Sequence, residues 1–214
     1  PNRSGIWGDY DNDGDLDIFI TQCGKRDRLI RNDGGGRFFD QGSLEFSAAD
    51  SSTGAAWGDY DNDGDLDLVV ADQAGATRLY RNDTAATNNW LKVKPLGPGE
   101  SAPVPGTRVR IWRTDSPRQG REIAAGGGYY SADDMTVHFG LGAATMVDSL
   151  VVIWPSGQTK SLTDVAAGQL LVVSATGVSA VGDADGVVPR LATGLRGIYP
   201  NPFNPATTVQ FDLA

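Results

Sequence analysis

Eleven residues, WGDYDNDGDLD, stand at positions 7–17 and return letter for letter at 57–67. In each copy five Asp alternate with other residues around one Gly, so a short stretch of chain gathers five like charges. Carboxylates held that close repel one another and raise each other's proton affinity unless positive charge is supplied. No basic residue lies inside either copy. A fold that uses this segment twice must therefore bring the compensating charge from elsewhere.

The residue types say what kind of charge. Positions 1, 3, 5 and 9 of the first loop are Asp9, Asp11, Asp13 and Asp17, with Gly14 at position 6. The second loop repeats this with Asp59, Asp61, Asp63, Asp67 and Gly64. Alternate residues around a tight loop point inward, and Gly permits the turn that wraps oxygen atoms around one ion. Position 7, Asp15 or Asp65, is expected to give its backbone carbonyl. All-oxygen ligation of this kind suits Ca²⁺, one ion per loop. Mg²⁺ prefers fewer protein ligands and keeps its waters, and Zn²⁺ would need thiol or imidazole. The loop is not an EF-hand, because position 12 is Ile20 or Val70, inside an apolar run, where that motif needs Glu.

The acidity is local. The chain has 214 residues and a net charge of −9, with 24 Asp against 3 Glu. Outside the two copies, 18 basic residues face 17 acidic ones. No basic patch with interleaved aromatics suggests nucleic acid, and no apolar run is long enough for a membrane-spanning helix. With one Cys, Cys23, no disulfide forms within the chain. Abundant Asp and Gly, with short Val-, Thr- and aromatic-rich runs, predict an all-β fold.

Repetition extends beyond the loops. RLIRND at 28–33 matches RLYRND at 78–83, at the same offset of 50 residues as the loops. Units of 40–50 residues with about four short strands have the period of a propeller blade. Two blades cannot close a propeller, and the chain opens at Pro1 without Met, so we expect further blades upstream. The acid loop, the strand after it and the RND segment resemble the FG-GAP/VCBS-type calcium repeat of integrin α-like propellers, over residues 1–87. That resemblance implies a scaffold held by calcium rather than an active site.

A second region begins at Asn88 and runs to residue 176. TRVRIW, MTVHFGL, SLVVIW and QLLVVSA read as strands of a β-sandwich or barrel-like domain. Its series GGGYY, HFGLG and WPSG is similar to the ASPIC/UnbV domain, which follows such repeats in secreted proteins. His138, flanked by Val137 and Phe139, is expected to face away from both and to be structural. Ser131, Asp133 and Asp134 are its neighbours in sequence, but no spacing joins them into a catalytic set. Glu122 with Asp133 or Asp134 would be the carboxylates of a glycosidase alternative. AAGGGYY at 124–130 reads as a bulge or turn, with Tyr129 and Tyr130 on opposite sides of a strand, and Trp154 as a core residue.

Residues 177–196 read as a linker, in which VGDADGVV holds half an acid loop. The tail, 197–214, carries YPNPFNPATTVQFDL, which resembles the start of a type IX secretion C-terminal sorting module, FlgD-like and Ig-like. That resemblance implies export to the medium or a bacterial cell surface. The chain is thus expected to be a non-enzymatic, calcium-binding surface module that recognises a glycan or a protein. The alternative is an accessory module of a secreted enzyme.

Overall fold

The computed structural model describes residues 2–42, 51–73, 75–83, 87–100 and 102–182, together with the backbone of 195–199 and 208–211. Every regular element among them is a strand, and none of the sheets closes into a barrel. The chain divides into a unit over residues 1–182 and a second over 183–214.

The first repeat is an antiparallel sheet in chain order, β1 (Asn2–Gly8), β2 (Asp17–Gln22), β3 (Arg28–Asn32) and β4 (Phe38–Asp40). The second is β5 (Ser52–Gly58), β6 (Asp67–Asp72) and β7 (Arg78–Tyr80). Alternation of buried and open residues along β1 and β2 gives each sheet two faces. The repeats use opposite faces to meet. Ile6, Phe19 and Leu29 form one cross-strand row of the first sheet, and Trp57 and Leu68 belong to the other row of the second. These residues share one buried cluster, with Phe19 edge-on to Trp57 at 6.3 Å between ring centroids. The first sheet's counterpart of the Trp57 row contains Trp7, which is 54% exposed.

The next eight strands make a sandwich: β8 (Asn89–Pro95), β9 (Arg108–Arg113), β10 (Ser116–Glu122), β11 (Val137–Gly142), β12 (Met146–Ile153), β13 (Thr159–Ala166), β14 (Gln169–Val173) and β15 (Val178–Gly182). One sheet has the order β10-β9-β12-β13, the other β11-β8-β14-β15, with β14 parallel to β8. Val109, Ile111, Leu150 and Val152 of the first pack with Leu91, Val93, Phe139 and Leu171 of the second. Trp154 is buried, as expected, and its indole N–H donates to the Leu96 carbonyl at 2.9 Å. Strand β15 falls in the stretch expected to be linker; it extends the sheet by pairing with β14.

Strands β8 and β11 position the site. Trp90, Leu91, Lys92 and Val93 are all buried, as are Val137, His138, Phe139 and Gly140. Two buried faces mean covers on both sides. Leu91 and Phe139 point into the sandwich core, while the paired row Lys92–His138 and Trp90–Gly140 meets the acid turns. The GGGYY segment docks on the repeats as well, with Tyr129 N–H donating to Ser4 Oγ at 2.9 Å. Tyr129 and Tyr130 do not oppose each other. They sit in a turn, with Tyr130 at φ 54°, and their rings lie 4.3 Å apart. The strand rule fails there because the backbone is not extended.

In the second unit, β16 (Leu195–Tyr199) and β17 (Thr208–Phe211) form an antiparallel pair. The expected strand at TTVQFDL is thus present. Residues 183–188 of VGDADGVV and the Pro-rich 200–205 lie outside the described residues.

Candidate metal centres

Each acid turn joins the first strand of its repeat to the second. Asn12 and Asn62, at φ 58° and 61°, and Gly14 and Gly64, at φ 103° and 94°, take the left-handed conformations that close it. Asp9 Oδ2 then accepts the Gly14 N–H at 3.0 Å, and Asp59 Oδ2 that of Gly64 at 3.0 Å. Asp17 opens β2 and fastens the other side. Its Oδ2 accepts the Tyr10 N–H at 3.1 Å and its Oδ1 the Asn32 N–H at 2.8 Å. Asp67 does the same with Tyr60 and Asn82, both at 2.9 Å.

Asn32 and Asn82 were not foreseen as site residues. Their side chains also donate to the carbonyls of Leu16 and Leu66, each at 3.1 Å, and so tie the third strand to the turn. The repeated RND segment carried that signal.

Asp9, Asp11 and Asp17 bring one oxygen each within 4.8 Å of one another, as do Asp59, Asp61 and Asp67. Asp9 Oδ1, Asp11 Oδ1, Asp59 Oδ1 and Asp61 Oδ1 are buried and lack a hydrogen-bond donor. Buried acceptors without donors are costly, and buried carboxylates more so. Three of the other predicted ligands also use their carboxylates within or between the turns. Asp13 and Asp63 turn Oδ1 onto the N–H of Asp15 and Asp65, at 2.8 and 3.0 Å. Asp65 Oδ1 accepts from Asn12 Nδ2 at 2.9 Å and links the two turns.

Burial favours the protonated form of several of these carboxylates. Burial pushes Asp9 up to about 7, with Asp13 and Asp11 adding repulsion and Arg121 opposing it. Burial also pushes Asp17 up to about 8, against the two N–H bonds it accepts. Asp11, Asp13, Asp63 and Asp67 are raised for the same first reason. A divalent cation on the donor-free oxygens would remove that penalty, and the all-oxygen set suits a hard ion.

The sandwich reaches both turns. Gly140 N–H donates to Asp9 Oδ2 at 3.1 Å, and Gly142 N–H to the Asn12 carbonyl at 2.8 Å. A Cβ on Gly140 would overlap Asp9 Oδ2, and one on Gly64 the Trp90 indole. His138 Nε2 lies 2.9 Å from the Gly64 carbonyl, which fixes the donor at that nitrogen. Burial pushes its pKa down to about 4, which favours the neutral ring. Lys92 Nζ sits 2.5 Å from Asp59 Oδ2, with both side chains almost fully buried. Lysine inside the apolar run WLKV was the available signal for that contact.

A cavity of about 240 Å³ lies between the repeats and the sandwich. Glu122, Asp133, Asp134 and His138, which no spacing argument had joined, all line it, with Trp57 and Arg121. Asp133 Oδ1 accepts the Trp57 N–H at 3.1 Å, and burial raises its pKa.

No curated protein matches the chain. Family models do match two regions, the FG-GAP-like repeat over residues 9–70 and the domain called ASPIC and UnbV over 97–180. The chain therefore carries an FG-GAP-like repeat region that includes both acid turns, followed by an ASPIC and UnbV domain.

Proposed function

We propose that this protein is a secreted or cell-surface scaffold stabilised by two Ca²⁺ ions, without enzymatic activity, that recognises a glycan or protein ligand. The observation that carries the reading is the pair of three-carboxylate groups whose buried Oδ1 atoms lack donors. Asp9, Asp11 and Asp17 would hold one ion, and Asp59, Asp61 and Asp67 the other, with Asp13, Asp15, Asp63 and Asp65 shaping the turns or adding ligands. Bound calcium supplies charge neutralisation, which suits a structural site.

The location rests on family type, since FG-GAP-like repeats are typical of extracellular proteins. The tail's likeness to a type IX sorting module agrees with it. No helix among the described residues is long and apolar enough to cross a membrane. The open Trp7 row fits further upstream blades, because the equivalent row of the second repeat is covered by the first.

Recognition is assigned to the cavity bordered by Arg121, Glu122, Asp133 and Asp134, where polar groups of both signs meet an indole. A glycan array probed in calcium and in chelator tests this reading. Binding that is lost with calcium and weakened in Arg121→Gln supports it, while absence of any glycan or protein ligand removes the adhesion role. The same lining keeps one alternative open, a hydrolase using Glu122 and Asp133. Glycosidase activity abolished by Glu122→Gln would establish that instead.

A further inference from the structure

The two turns are identical in sequence but not in surroundings. At the first, the outer oxygen of Asp9 accepts two neutral backbone donors, Gly14 and Gly140. At the second, the outer oxygen of Asp59 accepts Gly64 N–H and the ammonium of Lys92. Lys92 Nζ also lies 3.4 Å from Asn62 Oδ1, inside the turn.

A second cation approaches from the other side. The Arg81 guanidinium lies 3.1 Å from Asp61 Oδ2, 3.7 Å from Asp63 Oδ2 and 2.9 Å from Asp83. Its counterpart in the first repeat, Arg31, is paired at 2.6 Å with Asp33. Arg31 and the buried Arg121 act on Asp11 and Asp9 of the first turn only through space, whereas at the second turn Lys92 and Arg81 touch the carboxylates themselves.

We propose that Lys92 and Arg81 make the two turns unequal, so that a divalent cation fills the turn at Asp9–Asp17 first and the turn at Asp59–Asp67 only at higher concentration. This rests on the divalent-cation reading above. The physical reason is like-charge repulsion. A fixed ammonium on one oxygen of Asp59 opposes an ion on the other, and the repulsion is strong where water is excluded. Arg81 adds a mobile competitor, because it is half exposed and must share Asp61 with the ion. The consequence is a graded response. One site holds the fold at low calcium, and the other reports the concentration outside.

The test is calorimetric titration of the whole chain with calcium chloride. The wild type should show two steps separated by about 10- to 100-fold, the range by which outer partners of ligands alter metal affinity. Asp11→Asn should remove the tighter step and Asp61→Asn the weaker one. Arg81→Gln and Lys92→Met should each bring the weaker step closer to the tighter one and leave the tighter step in place. Arg81 is on the surface, so that variant decides the matter if Lys92→Met does not fold. Two equal steps in the wild type, or a weaker step unmoved in the folded variants, would overturn the inequality alone. No binding at either turn would instead overturn the metal reading beneath it.

Discussion

Replacing Gly140 with Ala puts one methyl group where the sandwich meets the first acid turn. The added Cβ would lie 2.5 Å from Asn12 backbone atoms and would overlap Asp9 Oδ2. Gly140 has no left-handed φ, so the penalty is steric and not conformational. Overpacking of this kind costs about 1–3 kcal/mol. If the turn moves aside, it also loses the 3.1 Å bond from Gly140 N–H to a carboxylate, worth about 1.5–3 kcal/mol for a charged acceptor. Together these predict a loss of about 2.5–6 kcal/mol. For a domain of 150–250 residues each kcal/mol lowers the melting temperature by about 2–4 °C, so the drop should be about 5–24 °C. Calcium affinity at the first turn should fall, and that at the second should fall less, through the Asn12 link to Asp65. Gly58→Ala is the control, since a Cβ there meets nothing within 4 Å; it should melt close to the wild type. A Gly140→Ala protein melting within about 2 °C of wild type would refute the proposed interlock.

Other outcomes follow from the same geometry. Asp9 and Asp17 are raised by burial to about 7 and about 8 from 3.8. In chelator the folded state then binds more protons than the unfolded one between pH 4 and 8, so stability should fall as pH rises through that window. Saturating calcium should abolish that trend in pH-resolved melts. His138 has the opposite sign, being lowered from 6.5 to about 4. In calcium its contribution is complete above pH 6.5 and is lost as pH falls toward 4, and His138→Gln should flatten that acid limb. Leu150→Ala opens the sandwich core at a fully buried site and should cost about 2–5 kcal/mol. Because residues 1–182 form one unit, the repeats should melt with it in a single transition. Separate transitions for the repeats and the sandwich would contradict that. Asp13→Ala with Asp63→Ala removes the caps on Asp15 and Asp65 and should weaken calcium binding at both turns in calorimetry.

What could be read from the chain was what repeats or alternates. The twin turns, the two-repeat organisation and strands such as DLVVAD follow from spacing alone. So does the new region at Asn88, where β8 begins one residue later. Polar outer strands were missed for the same reason. SPRQGRE of β10 has no buried apolar row, and its pairing comes from β9. Which partners the residues at the junction would meet was also illegible, even where, as at Lys92, the residue type was a signal. Lys92, Gly140 and Asn12 matter because β8 and β11 turn one face toward the acid loops, and no local pattern encodes which loop a strand will meet. The cavity lining had the same fate: Glu122 and Asp133 come together only through the packing of the sandwich on the repeats.

The most direct measurement is a crystal structure of the chain grown in calcium, with anomalous scattering used to place the ions. A cation is expected at each turn, about 2.3–2.6 Å from Oδ1 of Asp9 and Asp11 in one and of Asp59 and Asp61 in the other. Turns that keep these oxygens bare, or that hold only water in saturating calcium, would contradict that expectation.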